Sequence, residues 1–306
     1  MARIVSLGNC SQNIYLSDRD DLFFAVPTGT KLDIDQISYA VGGGGLNAAV
    51  SFARYGHETI LIGDLANDSA GEAILATLDE EGIDNSYISR NHTTTDTSII
   101  LLNSANAERT ILNCRGIKKF APFDENDLDL IQPHWLYVST LNGDMNVLRR
   151  FFEKAKENNI KVMFNPGPAE LAEPQKVLGL LEDIDILLVD KADAANLVPG
   201  TILTELLSRL HNYVKTIIIT AGPMGGIATN DTETYRFGIY EDVPVKDATG
   251  VGDAFGAGFL SSFAANHDFK RSLIFASANS TAVIQKIGYN CLNGRAKLHE
   301  MPIQQL

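Results

Sequence analysis

The stretch Asp247-Ala248-Thr249-Gly250-Val251-Gly252-Asp253-Ala254-Phe255-Gly256-Ala257-Gly258-Phe259-Leu260 decides how the rest of the chain is read. Asp242 to Val245 before it reads as the end of a short strand. After it, Phe255, Phe259 and Phe263 recur at helical spacing with Leu260 beside them, which predicts a helix with one buried stripe. A helix start carries backbone N–H groups without internal partners and the positive end of the macrodipole. Glycines there let an anion come close. Asp253 does not suit a passive anion site, because two permanent negative charges side by side repel. It suits a phosphoryl group in transfer, with Asp253 taking the proton of the attacking hydroxyl. Asp is also an ordinary residue of any first helical turn, so this stretch alone leaves both readings open.

Outward from it, the second half of the chain alternates strand and helix. Trp135–Val138, Ile160–Phe164, Ile184–Val189 and Thr216–Thr220 are apolar nearly throughout. Met145–Lys156 and Ile202–Leu210 read as amphipathic helices between them. Such strands predict a parallel sheet covered on both faces, doubly wound by right-handed crossovers. Nearer the front, Ile4–Leu7 and Thr59–Ile62 read as strands of the same kind. Ser69-Ala70-Gly71-Glu72 has capping-box spacing and opens a helix running to Gly82. Thr97–Leu102 and Arg109–Asn113, joined by Asn103-Ser104-Ala105-Asn106, read as a hairpin. The mixed segment Tyr15–Tyr39, with a turn at Pro27-Thr28-Gly29, could add edge strands to a small second sheet. Ligands of such folds gather at the carboxyl ends of the parallel strands, here Gly8-Asn9, Gly63-Asp64, Asn165, Asp190 and Thr220.

The chain has 306 residues and a formal charge of −13, from 25 Lys+Arg against 38 Asp+Glu. That balance argues against nucleic-acid or anionic-membrane partners and leaves room for a small anionic ligand. Three cysteines, Cys10, Cys114 and Cys291, without metal-like spacing, suit a reducing compartment. With no signal-peptide pattern and no membrane-length apolar run, the expectation is a cytoplasmic protein. There is no Walker A motif, no G-x-S-x-G elbow and no His pair with zinc spacing. Gly250 to Gly256 is one residue too long for a G-x-G-x-x-G dinucleotide fingerprint.

Three further stretches could carry chemistry. Gly42-Gly43-Gly44-Gly45-Leu46-Asn47 can bring backbone against a ligand, with Asn47 offering donor and acceptor, or it is a plain loop with a helix cap. Its helix would bury Val50, Phe52 and Ala53 and stop at Gly56. Thr220-Ala221-Gly222-Pro223-Met224-Gly225-Gly226 could line a nucleotide, or it is a turn into a hairpin. Ala276, Ala278, Asn279 and Ala282 allow a flat ring to approach a late helix, or simply close packing.

Taken in order, these four stretches resemble the ribokinase-like carbohydrate kinases of the PfkB type, essentially end to end. Gly42–Gly56 matches the front signature and Asp247–Leu260 the rear one. Ala107-Glu108-Arg109-Thr110 is similar to the lid motif G-E-R-T, and Asn165-Pro166-Gly167-Pro168 to the N-P-x-P turn. The resemblance implies a core of residues 1–12, 41–92 and 116–306, with a β-sheet lid from 13–40 and 93–115 that doubles as a homodimer interface. It implies ATP as phosphoryl donor, Mg²⁺, K⁺ in many members, and a sugar acceptor, ribose- or fructose-like. A nucleoside acceptor is the alternative, with Phe23, Phe24 or Tyr39 as its aromatic slot; a sensor without turnover is another. Asp253 would be the base and the N–H groups of Gly250, Val251 and Gly252 the anion hole. Asn13, Gly43 and Asn47 would hold the acceptor. Asp190, Thr220, Gly222, Gly225 and Asn279 would line the nucleotide. Asp193 would steer Mg²⁺ and Asp247 a monovalent cation.

Four departures accompany the match. Asn13 stands where the family usually has Asp, which keeps two hydrogen bonds and loses the charge. Ala66 replaces a Gly. Asp190 replaces the Asn of N-x-x-E, and Asp193 its Glu. Ala248 and Val251 replace the commoner Thr and a small residue. The expectation is an active kinase with an altered acceptor grip.

Overall fold

The computed structural model describes residues 1–18, 28–29, 31, 33–103, 105–120, 123–241, 243–289 and 301–306. Phe23, Phe24, Pro27, Ser104, Asp242 and Cys291 lie outside them. The chain runs through β1 (Arg3–Leu7), β2 (Ser11–Asp18), β3 (Gln36–Gly42), α1 (Gly44–Arg54), β4 (Glu58–Ala66), α2 (Ser69–Glu80) and β5 (Ile88–His92). Next come β6 (Asp96–Asn103), β7 (Arg109–Cys114), α3 (Asp127–Ile131), β8 (Trp135–Val138), α4 (Met145–Glu157) and β9 (Lys161–Phe164). Then follow α5 (Pro168–Leu171), α6 (Pro174–Leu178), β10 (Ile186–Asp190), α7 (Lys191–Leu197), α8 (Leu203–Leu210) and β11 (Thr216–Thr220). The last elements are β12 (Gly226–Asn230), β13 (Thr234–Phe237), α9 (Val251–Asn266), α10 (Phe269–Ile284) and β14 (Ile303–Gln305).

Among the described residues the main sheet has ten strands in the order β14-β13-β12-β11-β10-β9-β8-β1-β4-β5. From β11 to β5 every pairing is parallel, and β12, β13 and β14 add an antiparallel edge. Alternate side chains fall into two apolar layers. Leu7, Val138, Phe164, Val189 and Ile219 pack with α4 and α8. Ile4, Tyr137, Met163, Leu188 and Ile218 pack with α9 and α10. A strand covered on both faces has no polar side to show, which is why these segments are apolar throughout. The doubly wound α/β reading holds.

The second sheet has four strands in the order β3-β2-β6-β7. It is mixed: β2 pairs antiparallel with β3 but parallel with β6, and β6–β7 is the antiparallel hairpin.

Three local expectations are corrected. No strand leads directly into the 247–260 stretch among the described residues: 243–248 are irregular, and Lys246 N donates to Ile284 O rather than to a sheet. The cap of α2 is Asp68, not Ser69, because the Asp68 carboxylate accepts from Gly71 N. Helix α9 does not bury a single stripe: every residue from Ala254 to Ser262 is buried. It lies between the sheet, α1 and α10 and has no solvent face to reserve in that half, so small residues fill its close contacts.

Candidate active site

Glycine geometry sets the site. Gly250 caps α9 in the left-handed region at φ 76°. A Cβ there would lie 2.9 Å from the Tyr289 ring and 3.0 Å from Asn47 Nδ2. The first intrahelical bond is Ala254 N to Gly250 O, so the preceding N–H groups have no intrahelical partner. Gly252 has open space where a side chain would be. Gly43, at φ 96°, lets the start of α1 press against the end of β1, since a Cβ would sit 2.5 Å from Asn9 O. There Asn9 accepts from Gly44 N through Oδ1 at 2.9 Å and from Gly45 N through its carbonyl at 3.2 Å.

These turns bring Asn47 and Asp253 together across 206 residues. Asn47 Nδ2 donates to Asp253 Oδ2 at 2.8 Å. Burial pushes the Asp253 carboxyl up to about 6, with the Asn47 bond pulling the other way. Asn47 Oδ1 is buried without a partner, so the amide still has an acceptor to offer. Under Asp253 lies the hydroxyl of Tyr137, which burial and the Asp253 charge keep protonated and which accepts from Asn165 Nδ2 at 3.3 Å. Asn13 lies on the inner face of β2 and is buried, with its amide packed so closely on Gly42 that a Cβ there would meet Nδ2 at 2.4 Å. Asp247, almost fully buried, accepts from Thr249 N at 2.9 Å and Thr249 Oγ1 at 2.6 Å through Oδ1, and from Gly288 N at 3.4 Å through Oδ2. It pins the loop that leads to Gly250. Asn279 is fully buried and its Nδ2 donates to Ala254 O at 2.7 Å, tying α10 to the first turn of α9.

A second cluster sits at the carboxyl ends of β10 and β11, where Asp190 and Thr220 are register partners. Asp190 caps α7 by accepting from Asp193 N at 2.7 Å. Burial, then the Asp190 charge, push the Asp193 carboxyl up to about 6. Gly222 and Gly225, at φ 53° and 75°, turn the chain from β11 into antiparallel β12, as the hairpin reading of this stretch expects. Among the described residues no three His, Cys, Asp or Glu side chains converge as a metal cage. A close pair of hard carboxylates suits Mg²⁺, which keeps waters and phosphate oxygens in its shell.

Sequence reasoning missed Tyr137, the Asn9 link and Glu170. Glu170 is completely buried and accepts from Leu141 N, Gly143 N and Gly167 N at 2.8–2.9 Å, clasping the loops after β8 and β9. Only the Asn165–Pro168 turn hinted at it.

The pfkB family carbohydrate kinase model matches residues 1–293. The chain belongs to that family. This carbohydrate kinase is 28% identical over 271 residues to a ribokinase of Lactococcus lactis, covering 85% of this chain and 84% of the relative. It is 24% identical over 272 residues to an ATP-dependent 6-phosphofructokinase of Thermoanaerobacterium thermosaccharolyticum, with 85% and 84% covered. Its fold matches the adenosine kinase of Sinorhizobium meliloti at a TM-score of 0.82 and 19% identity, over 95% and 96% of the two chains. The family makes the kinase an enzyme. No helix among the described residues is long and apolar enough to cross a membrane.

Proposed function

We propose that this kinase phosphorylates a hydroxymethyl group of a sugar, with Asp253 as the base. The observation that carries the reading is the Asp253 carboxylate, aimed by Asn47 and raised by burial, in the first turn of a helix whose N–H groups are open. A carboxylate near 6 is ionised at neutral pH and a better proton acceptor than an ordinary Asp. Asn13, Gly43 and Asn47 hold the acceptor so that one hydroxyl faces Asp253. Asp253 takes that proton as the oxygen attacks, and the N–H groups of Gly250, Val251 and Gly252 carry the developing negative charge.

ATP supplies the phosphoryl group when bound, and Mg²⁺ offsets its charge. Thr220, Gly222 and Gly225 would line the nucleotide, Asp190 and Asp193 would hold the Mg²⁺ with its waters, and Asn279 sets the position of α9 beside it. Asp247 spends Oδ1 on its own loop, so a K⁺ ion there would find chiefly Oδ2. The small sheet of β3, β2, β6 and β7 would cover the acceptor and exclude water. A nucleoside is the second reading; Tyr39 pairs with Ile14, on the face of the small sheet away from Asn13, so it does not supply the slot for the base. Cysteine usage suits work in the cytoplasm.

The test is ADP release from Mg·ATP with a panel of pentoses, hexoses, nucleosides and sugar phosphates. Turnover with one acceptor class, lost in Asp253→Asn, supports the proposal. Turnover that survives Asp253→Asn overturns it.

A further inference from the structure

At the opposite end of the sheet lies a cleft of about 870 Å³. It opens at the amino ends of β8, β9, β10 and β11, below the last turn of α9, and none of its lining belongs to the site above. One wall is aromatic. Trp135 opens β8 and meets Phe263 edge-on at 6.2 Å; Tyr213 adds a half-exposed ring. His267, which ends α9 at φ 53°, packs edge-on against Phe263 at 5.8 Å.

The rest of the lining is polar and balanced in charge. Lys161 Nζ donates to Asp185 Oδ1 at 2.8 Å, and Asp185 Oδ2 accepts from Val162 N at 2.8 Å. Lys215 pairs with Asp231 at 3.7 Å, and Glu182 adds a carboxylate to the lining. His134 accepts from Arg3 N through Nδ1, so its neutral ring carries the proton on Nε2 and has a donor to offer. The wall therefore holds both donors and acceptors, and its two lysines are each met by a carboxylate. The volume is that of a small-molecule site.

We infer that this cleft is a second binding site, for a flat, uncharged heteroaromatic ligand with hydrogen-bonding groups on its edge, such as a nucleobase or nucleoside. The ring would stack on Tyr213 and the Trp135–Phe263 wall, where every base finds a partner face. Its edge would meet His134, Lys161 and Glu182. A dianion gains little here, because each lysine already faces a carboxylate.

Trp135 is the single tryptophan of the chain, so its indole N–H gives one isolated resonance in a ¹⁵N-labelled sample. The experiment titrates adenine into the full-length kinase held in saturating Mg·ADP, which removes the catalytic nucleotide site from the readout. A saturable shift of the indole resonance is expected, weakened about fivefold or more by Tyr213→Ala, with AMP binding less tightly than adenine. Tyr213 is exposed enough for the variant to fold. No shift with adenine, a shift abolished by Mg·ADP, or a Tyr213→Ala protein that binds equally well would each overturn the site. Tighter binding of AMP than of adenine would overturn the ligand class.

Discussion

Asp253 carries a conflict that its neighbours only partly relieve. Burial disfavours its charge, and one bond from Asn47 offsets part of that cost. Because its folded pKa of about 6 lies above the unfolded value, ionised Asp253 costs stability, and the cost grows as pH rises from about 4 through 6. Asp253→Asn keeps the bond to Asn47 and removes the charge, so at pH 7.5 its melting temperature should rise by about 2 °C or more. Calorimetry at pH 7.5 and 5 checks this, with the gain shrinking at the lower pH. The same group should govern kcat/KM, which falls about tenfold per pH unit below about 6 and levels off above it. Gly250→Ala adds a Cβ against Tyr289 and Asn47 at φ 76°. It should lower kcat about a hundredfold or more by turning Asn47 away from Asp253, while ADP titration still shows nucleotide binding. None of this was legible locally. Asp253 itself was, from its glycine-rich helix start; its partner lies 206 residues away and its buried neighbour Tyr137 looks like an ordinary strand residue.

The helices and loops place these groups by a few polar clasps. Glu170 holds three backbone N–H groups from two loops. A glutamine there puts an amide donor where a donor already points, so Glu170→Gln should destabilise the protein by about 2 kcal/mol or more in urea melts. Asp68 joins the start of α2 to the small sheet by accepting from Gly71 N, Thr95 N and Thr95 Oγ1. Burial raises its carboxyl, but those hydrogen bonds outweigh it and hold the group below the usual range. Its contribution is therefore present above about pH 4 and is lost as pH falls through the lowered folded value. Strands and helices were readable because two-sided burial leaves apolar runs and one-sided burial leaves a period. The segment 243–248 was misread because its apolar residues, such as Val245, face solvent and its backbone bonds go to α10. The Ser69 cap was misread because Asp68, one position earlier, is the stronger acceptor and also reaches Thr95.

At the scale of the whole molecule, the small sheet is the surface where we place the proposed homodimer. Its outer strands expose Ile37 and Tyr39 on β3 and Leu112 on β7, each more than half accessible, an apolar display that a solitary lid does not need. We expect this face to form the homodimer. Tyr39→Lys combined with Leu112→Lys should halve the mass seen by light scattering, and a native enzyme that already runs as a monomer would refute the interface. The order of the four motifs along the chain made the architecture readable; the face a partner covers is spread over strands far apart in sequence and shows only once they pair.

The most direct test of the account is kcat for Asp253→Asn beside wild type, on the best acceptor of the panel, with ADP affinity measured on both proteins. The account predicts a loss of about a thousandfold or more in kcat with ADP affinity changed by less than about threefold. A variant that keeps a tenth or more of wild-type kcat would contradict it, because the proton would then be leaving the acceptor by a route that does not involve Asp253.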